Sequence, residues 1–210
     1  MPIRQANWGD LRPAAEVAAA AFVEDSLFGE LMHPHRHEHS ADFARFWEQE
    51  FRVKWLQPKY TFLVAVEDGG KVAGLAIWER ERNLAHRLAS WYNEIEKWMW
   101  PNYAADPSKV NVLIESKPFT DHHWSGSREQ TWYLDLLAVH PASQGKMFGR
   151  ELVQWGMDEA KRESVCASVI AAKGKDRFYG RFGFVEVGRA NVGPLAGIEG
   201  GAIMFNDVKA

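Results

Sequence analysis

The residues with the clearest chemical potential form a polar turn, Gln-Gly-Lys at residues 144–146, with Arg150 shortly after it. The apolar run 134–139, broken only by Asp135, precedes the turn and predicts a strand buried on both faces. Apolar residues at helical spacing follow the turn and predict a helix. A strand, a glycine-containing turn and a helix direct free backbone N–H groups and a helix dipole at one spot, which suits phosphate. Lys146 and Arg150 add positive charge beside that spot.

The turn on its own leaves two interpretations open, because many glycine-containing loops are only tight turns. Two well-known phosphate loops do not fit it. A Walker loop carries Ser or Thr directly after its Lys, whereas Met147 follows Lys146. A dinucleotide-binding fingerprint needs G-x-G-x-x-G at the first turn of a βαβ unit, and that spacing is absent here.

Two segments in order resemble the GNAT acetyltransferase superfamily. Residues 136–149, Leu-Leu-Ala-Val-His-Pro-Ala-Ser-Gln-Gly-Lys-Met-Phe-Gly, are similar to its acyl-CoA-binding motif, Gln/Arg-x-x-Gly-x-Gly/Ala after a V-x-P strand end. Residues 177–184, Arg-Phe-Tyr-Gly-Arg-Phe-Gly-Phe, are similar to its closing Tyr-x-x-x-Gly-Phe signature. One position departs, since the family usually has Gly where this chain has Met147. A bulky side chain there lies where backbone and pyrophosphate come close, so we expect an effect on cofactor affinity.

The resemblance implies a GNAT-like α/β fold: a central mixed, mostly antiparallel sheet of about six to seven strands, splayed in the middle, with helices on both faces. The alternation of predicted helices and strands around a hairpin independently favours one mixed sheet covered by helices. The length of 210 residues suits one domain. We therefore expect a single domain over 1–210, with a helical, aromatic-rich insertion at about 82–130.

Hydrophobic periodicity and turn residues predict the other elements. Strands are expected at residues 3–6, 60–66, 71–78, 165–171, 184–189 and 202–206. Helices are expected at residues 10–22, 40–56, 84–98 and 174–181, with Asp10 and Ser40 as the first two N-caps. The apolar residues of 106–114 fit a helix or a strand, and we favour a helix capped by Asp106; segments 25–40 and 117–130 are expected to be loops.

By the same resemblance, acetyl-CoA is the expected co-substrate. Its pantetheine arm would pair with the first motif strand, and its pyrophosphate would rest on the amides of the turn. The residues implied to bind it are Leu137, Ala138, Val139, Gln144, Gly145, Lys146, Met147, Phe148, Gly149 and Arg150, with Gly174 and Arg177 near the next helix. Lys173, Lys175 and Arg177 have an alternative interpretation as a solvated basic face, because exposed charges usually serve only solubility.

Tyr179 occupies the position of the family residue that usually acts as general acid. A phenol with a pKa near 10 can protonate a departing thiolate, which fits that role. The alternative is that Tyr179 only packs against the cofactor. For the general base, Asp135 is the one carboxylate inside the central strand. Its rivals are His122, His123, Glu79, Glu115 and bulk water.

The resemblance, together with these residues, implies an N-acetyltransferase in which a small amine attacks acetyl-CoA directly in a ternary complex. The acceptor side would come from the aromatic insertion, which could hold a cationic amine by cation–π contact. The insertion has few paired acidic clusters, which makes a polybasic protein tail a less suitable acceptor. Two alternatives stay open: a non-catalytic CoA-binding or scaffold domain of the same fold, and an acyltransferase that uses a hydroxyl acceptor or a longer acyl chain.

Composition argues against several other classes of partner. The net charge of −3 provides no basic field for nucleic acid, and no apolar stretch approaches the length of a membrane span. The single cysteine, Cys166, has no disulfide partner in the chain, which fits a reducing, cytoplasmic location for a monomer or homodimer. We expect no metal site. The alternating histidines lack carboxylate or cysteine partners, which a metal site would need; they are His33, His35, His37 and His39.

Overall fold

Strands and helices alternate along the chain in the predicted order. The computed structural model describes residues 3–80 and 101–207. Its strands are β1 (Ile3–Gln5), β2 (Tyr60–Val66), β3 (Val72–Arg80), β4 (Thr131–Val139), β5 (Cys166–Ala172), β6 (Val185–Arg189) and β7 (Gly200–Asn206). Its helices are α1 (Leu11–Phe22), α2 (Ser40–Trp55), α3 (Val112–Thr120), α4 (Phe148–Glu163) and α5 (Asp176–Gly180).

The seven described strands form one sheet in the order β1-β2-β3-β4-β5-β7-β6. Strand β1 pairs antiparallel with β2, and β7 pairs antiparallel with both β5 and β6. Strands β4 and β5 run parallel, with Thr131 opposite Cys166 and Leu134 opposite Val169. The predicted fold class, a mixed and mostly antiparallel sheet combined with helices, is confirmed. The helix predicted at 84–98 lies outside the described residues.

The described chain divides into two compact units, and the division falls inside β4, after Asp135. The first unit comprises residues 3–77, 101–109 and 136–152. The second unit comprises residues 78–80, 110–135 and 153–207. A single domain with an insertion at about 82–130 stays a prediction.

The core of the first unit is aromatic where α2 packs on α1. Phe43, Trp47 and Phe51 lie on one face of α2 and are all buried. The Trp47 ring stacks on Phe22 with centroids 5.1 Å apart. The facing side of α1 presents small side chains, including Ala18, which let the two helices approach closely.

The core of the second unit contains Trp124, whose indole N–H donates to Ser168 Oγ at 3.0 Å. Its ring packs against Phe205, with centroids 5.3 Å apart. Elsewhere in this unit Trp78 lies directly against the backbone of α4. A Cβ added to Gly156 would lie 2.1 Å from the indole, so this position has no room for any other residue.

The helix starts differ from the predictions. Asp10 makes no side-chain capping bond to α1. Its carboxylate accepts from Arg4 at 2.6 and 2.8 Å and from the Asn7 N–H at 2.7 Å, so the ion pair with β1 takes the place of the cap. Ser40 is likewise not a cap, because α2 already begins at that residue and His39 precedes it.

Two predicted loops contain helical turns. Residues Ser26–Leu31 form a π-helical turn, because the Asp25 carboxylate accepts from the N–H groups of Leu27 and Phe28 at 3.0 and 2.9 Å. In segment 106–130 the helix starts later and ends later than expected. Asp106 makes a local turn by accepting from the N–H and hydroxyl of Ser108, both at 2.8 Å.

Helix α3 then extends to Thr120, into the predicted polar loop. Its buried residues are Val112, Ser116 and Thr120, one per turn, while Ile114 and Phe119 are exposed. The hidden face of this helix is therefore small and polar, so a search for apolar periodicity could not find it. None of the described helices combines the length and apolar character needed to cross a membrane.

Candidate active site

Strand β4 has two unlike faces, which corrects the prediction of a strand buried on both sides. Leu134, Leu136 and Ala138 are buried, while Asp135 and Leu137 on the alternate face are partly exposed. Period-two alternation places Asp135 on the same face as Leu137. The dense apolar sequence hides this asymmetry because a half-open face can still be lined by leucine and valine.

The end of β4 is fastened to its neighbour in the first unit. The His140 N–H donates to Ala73 O at 2.8 Å, and the Ser143 N–H donates back to His140 O at 2.8 Å, which closes a short 3₁₀ turn. A Cβ on Gly74 would lie 3.1 Å from Ala138 O, so the two backbones meet closely there. These hydrogen bonds therefore hold the end of β4 in place.

Beyond this turn the backbone twice enters the left-handed region. Gly145 has φ of 82° and Met147 has φ of 67°. Glycine takes this conformation without steric cost, whereas the Cβ of Met147 meets its own backbone. The Met147 side chain is 53% exposed. The residue that departs from the family motif thus keeps the backbone shape that glycine would favour, and it projects its side chain outward.

Helix α4 starts directly after Met147. The Glu151 N–H donates the first helical bond, to Met147 O at 3.1 Å. The N–H groups of Phe148, Gly149 and Arg150 precede that bond and have no acceptor within the helix. The Phe148 side chain is buried and anchors the helix start. The result is a set of free amides at the positive end of a helix of 16 residues, where an anion is stabilised.

An acidic side chain unexpectedly reaches this turn. The Glu67 Oε1 atom accepts from Lys146 Nζ at 2.9 Å and from Ser143 Oγ at 2.8 Å. These two hydrogen bonds, with Lys146 the stronger influence, lower the pKa of Glu67 from its ordinary value. Sequence reasoning missed Glu67 because it lies 76 and 79 positions from its partners, and no local pattern links them.

In the second unit, Tyr179 lies in the last turn of α5 and is 6% exposed. Its ring is flanked by Phe178 and Phe184, with centroids 5.1 and 5.9 Å away. Burial, with a smaller contribution from Tyr133, raises the pKa of the Tyr179 phenol well above its ordinary value. The hydroxyl carries its proton at neutral pH, as an ordinary phenol does, and burial further disfavours the phenolate.

The rest of the Tyr-x-x-x-Gly-Phe signature forms a tight turn. Gly183 has φ of 83°, and a Cβ there would lie 2.8 Å from Asn206 Nδ2. The Asn206 amide donates to Phe182 O at 2.8 Å, which ties the turn to β7. Glycine is needed here both for its conformation and for its size.

The basic residues before α5 are all exposed. Gly174 has φ of 71°, and Arg177 lies within the short helix α5 itself. Lys173 is hydrogen bonded to Glu199, so part of this charge is balanced. The exposure of Arg177 and Lys175 fits both interpretations of the cluster, phosphate contact and a solvated face.

The candidate bases belong to the second unit and lie on several different elements. Asp135 is partly buried within β4, Glu79 is buried at the end of β3, and Glu115 is exposed on α3. The His123 ring lies 4.1 Å from that of His122, and burial lowers the pKa of His123.

The histidine-rich segment separates into one core residue and three exposed ones. His33 is 1% exposed and donates from Nδ1 to Phe28 O at 2.7 Å, while His35, His37 and His39 are exposed. Within residues 3–80 and 101–207, no group of three or more His, Cys, Asp or Glu side chains is arranged to hold a metal ion.

A match to a protein family accompanies these structural features. The features are the strand, left-handed turn and helix start of the first unit and the tyrosine turn of the second. The model of the Acetyltransferase (GNAT) family matches residues 24–184, which is well over half of the chain. The chain belongs to the GNAT acetyltransferase family. No protein of curated function matches its sequence.

Solved structures agree with the GNAT fold. The Corynebacterium glutamicum "histone acetyltransferase HPA2 and related acetyltransferase" has a TM-score of 0.68 at 18% identity, covering 99% of this chain and 96% of its own. A Brucella melitensis GNAT acetyltransferase in complex with acetyl-CoA has a TM-score of 0.51 at 15% identity, covering 100% and 88%. The ribosomal-protein-S18-alanine N-acetyltransferase of Escherichia coli has a TM-score of 0.55 at 15% identity, covering 100% and 94%.

Membership of the GNAT family supports acyltransferase activity with an acyl-CoA co-substrate. One structural observation, independent of the family match, shows that the residues of this GNAT chain fit such a ligand. Free amides at the start of α4 and the charge of Lys146 and Arg150 suit a polyphosphate. The identity of the acceptor is a separate question, because the cofactor turn carries no information about it.

Proposed function

We propose that this GNAT protein is an N-acetyltransferase that transfers the acetyl group of acetyl-CoA to the amine of a small molecule, by direct attack in a ternary complex. The observation that carries the cofactor part of the proposal is the turn between β4 and α4, and the acceptor is argued separately below. Its backbone is left-handed at Gly145 and Met147, just before a helix N-terminus, and such turns form anion-binding concavities of backbone amides.

In this proposal the turn binds the pyrophosphate of acetyl-CoA through the amides of residues 145–150. The backbone of Leu137, Ala138 and Val139 pairs with the pantetheine arm. The parallel register of β4 with β5 covers Thr131 to Leu134, so these three residues follow the paired stretch. Arg177, with the backbone of Gly174, is the proposed contact for the remaining phosphate.

The chemistry is a single acyl transfer. The neutral amine nitrogen attacks the thioester carbonyl carbon, a C–N bond forms and the C–S bond breaks. The departing thiolate takes a proton from the hydroxyl of Tyr179, and Tyr179 regains a proton from solvent after CoA leaves. The attacking amine loses its proton to Asp135 or to water, so charge and protons balance.

A small acceptor is supported by composition and by exposed aromatic surface. Tyr103, in the described part of the expected insertion, is 63% exposed, and its ring lies 5.8 Å from that of His39. Aromatic faces of this kind bind cationic amines. We also propose that the protein is cytoplasmic and that it is a monomer or homodimer. Size-exclusion chromatography of the purified protein can test the oligomeric state.

Two measurements in sequence test the function. Calorimetry with acetyl-CoA should show binding, and release of free CoA thiol should then depend on one member of a panel of small amines, polyamines and a basic peptide. Release with the peptide alone would contradict the small acceptor. Small alcohols are added as a second panel, and release with alcohols alone would contradict N-transfer. Absence of binding would overturn the whole assignment.

A second candidate, a CoA-binding domain without turnover, is favoured by one observation. Met147 replaces the usual glycine at a left-handed position where backbone and cofactor approach each other. Binding of acetyl-CoA without thiol release, across every acceptor and across longer acyl-CoAs, would support this candidate over the enzyme.

A further inference from the structure

The hairpin between β2 and β3 carries a carboxylate to the cofactor turn. Glu67 follows β2, and its N–H donates to Lys71 O at 2.9 Å across the hairpin. The Gly70 N–H donates to Glu67 O at 3.0 Å, and Gly69 and Gly70 both have positive φ. The hairpin is therefore tightly closed, and it holds the Glu67 side chain in a defined place.

One oxygen of Glu67 is shared by two donors of different character. Ser143 is 5% exposed and lies in the 3₁₀ turn, so its hydroxyl is a fixed partner. The Lys146 side chain is 56% exposed and the Glu67 side chain 25% exposed, so their ion pair can open towards solvent. The Glu67 carboxylate thus has a fixed hydrogen bond to Ser143 and an ion pair with Lys146 that can be replaced.

Charge at the turn depends on this pair. Lys146 and Arg150 are the cations closest in sequence to the free amides at the start of α4. The carboxylate of Glu67 offsets the first of these cations and also repels any anion that approaches the amides. An incoming polyphosphate must therefore compete with Glu67 for the ammonium group.

We propose that Glu67 is a positioning residue that sets the affinity of this site for acyl-CoA. It anchors the turn through Ser143, and it holds Lys146 in an ion pair that the cofactor phosphates replace. The inference rests on the proposed function and adds a control on affinity that lies on the neighbouring hairpin, outside both sequence motifs.

The Glu67→Gln variant separates the two contacts. Its amide oxygen can still accept from Ser143, but it carries no charge to hold Lys146 or to repel phosphate. We expect its Kd for acetyl-CoA to fall about two- to fivefold at low salt, the size expected of an exposed ion pair. The change should appear in the KM for acetyl-CoA rather than in kcat.

Calorimetry at about 20 mM and about 300 mM salt provides the test, because screening weakens exposed charges. The advantage of Glu67→Gln should shrink at the higher salt. It should also shrink in a Lys146→Met background, where no ammonium remains to be released and only the direct repulsion by the carboxylate is removed. Glu38→Gln is the matched control: this exposed carboxylate in the first unit gives the same change in net charge and should leave Kd unchanged.

Ser143→Ala tests the anchor, since it removes one hydrogen bond and keeps the ion pair. We expect its Kd to rise at least about twofold. An unchanged or higher Kd in Glu67→Gln, an equal gain in Glu38→Gln, or wild-type binding by Ser143→Ala would each overturn the inference while the proposed function stands. Failure of the wild-type protein to bind acetyl-CoA would instead overturn the proposed function, and this inference with it.

Discussion

The two turns that carry the family motifs reach a left-handed backbone with different residues. In the first unit the position belongs to Met147, with φ of 67°, and in the second to Gly183, with φ of 83°. A Cβ on Gly183 would meet Asn206 at 2.8 Å, whereas the Met147 side chain is 53% exposed. There is thus space for a side chain at Met147 but not at Gly183. At Met147 the left-handed backbone is strained for a residue with a Cβ. Since no neighbour among the described residues fills the space there, the approach of a ligand is the other reason to prefer glycine.

The largest expected difference between the turns concerns chemistry. Tyr179→Phe keeps the ring contacts with Phe178 and Phe184 but removes the proton donor. We expect kcat to fall about 10²-fold, the usual contribution of a general acid, with the Kd for acetyl-CoA unchanged. Thiol release and calorimetry measure the two quantities. Unchanged turnover would remove Tyr179 from its role, and a matching loss of binding would make it a packing residue.

The second prediction compares two glycines of one signature. Gly183→Ala forces a Cβ into the left-handed region and against the Asn206 amide, so we expect a loss of about 2 kcal/mol in the free energy of unfolding. Gly180→Ala is the control, because nothing lies within 4 Å of a Cβ at that position. Urea denaturation of both variants tests the difference. Equal stability of the two would show that the Gly183 turn tolerates a side chain.

The third prediction concerns the departing residue. Met147→Gly relieves the left-handed backbone, whereas Met147→Ala removes the bulk and keeps the backbone cost. We expect the glycine variant to be more stable than the alanine variant by about 1 kcal/mol. If bulk hinders the cofactor, both variants should lower the Kd for acetyl-CoA. Tighter binding by the glycine variant alone would instead identify the backbone as the obstacle.

The smallest expected effect contrasts buried groups in the two units. Burial raises the pKa of Tyr179 and lowers the pKa of His33 from 6.5, so it favours the neutral form of both groups. Below pH 6.5 the unfolded chain binds a proton that the folded chain resists, so stability is complete above this pH and declines as the pH falls. We expect wild type to lose about 0.5 kcal/mol more than His33→Gln between pH 7 and pH 6, measured by urea unfolding. Parallel curves would contradict this.

Local patterns in the sequence predict the parts of the site that are local in the structure. The strand, turn and helix around Lys146, and the turn around Tyr179, follow from neighbouring residues and appear as expected. Contacts between distant segments could not be read in this way. Glu67 reaches its partners from a hairpin far away in sequence, and Arg4 takes the Asp10 carboxylate from its predicted capping role.

Helix α3 shows a second limit of pattern reading. Its buried face is formed by Ser116 and Thr120 as well as Val112. The pattern of polar residues therefore could not show which side of the helix is exposed. The same ambiguity affects β4, where Leu137 lies on the partly open face. Apolar residues on a ligand-facing surface resemble core residues in sequence, and only the alternation of exposure tells them apart.

The contact between Trp78 and Gly156 has a consequence for how this chain can vary. With 2.1 Å between the indole and any added methyl group, bulk on one side of the contact excludes bulk on the other. A substitution at either position alone leaves a clash or a void, so we expect the two residues to exchange size together. Among related sequences, a larger residue in place of Gly156 should accompany a smaller one in place of Trp78.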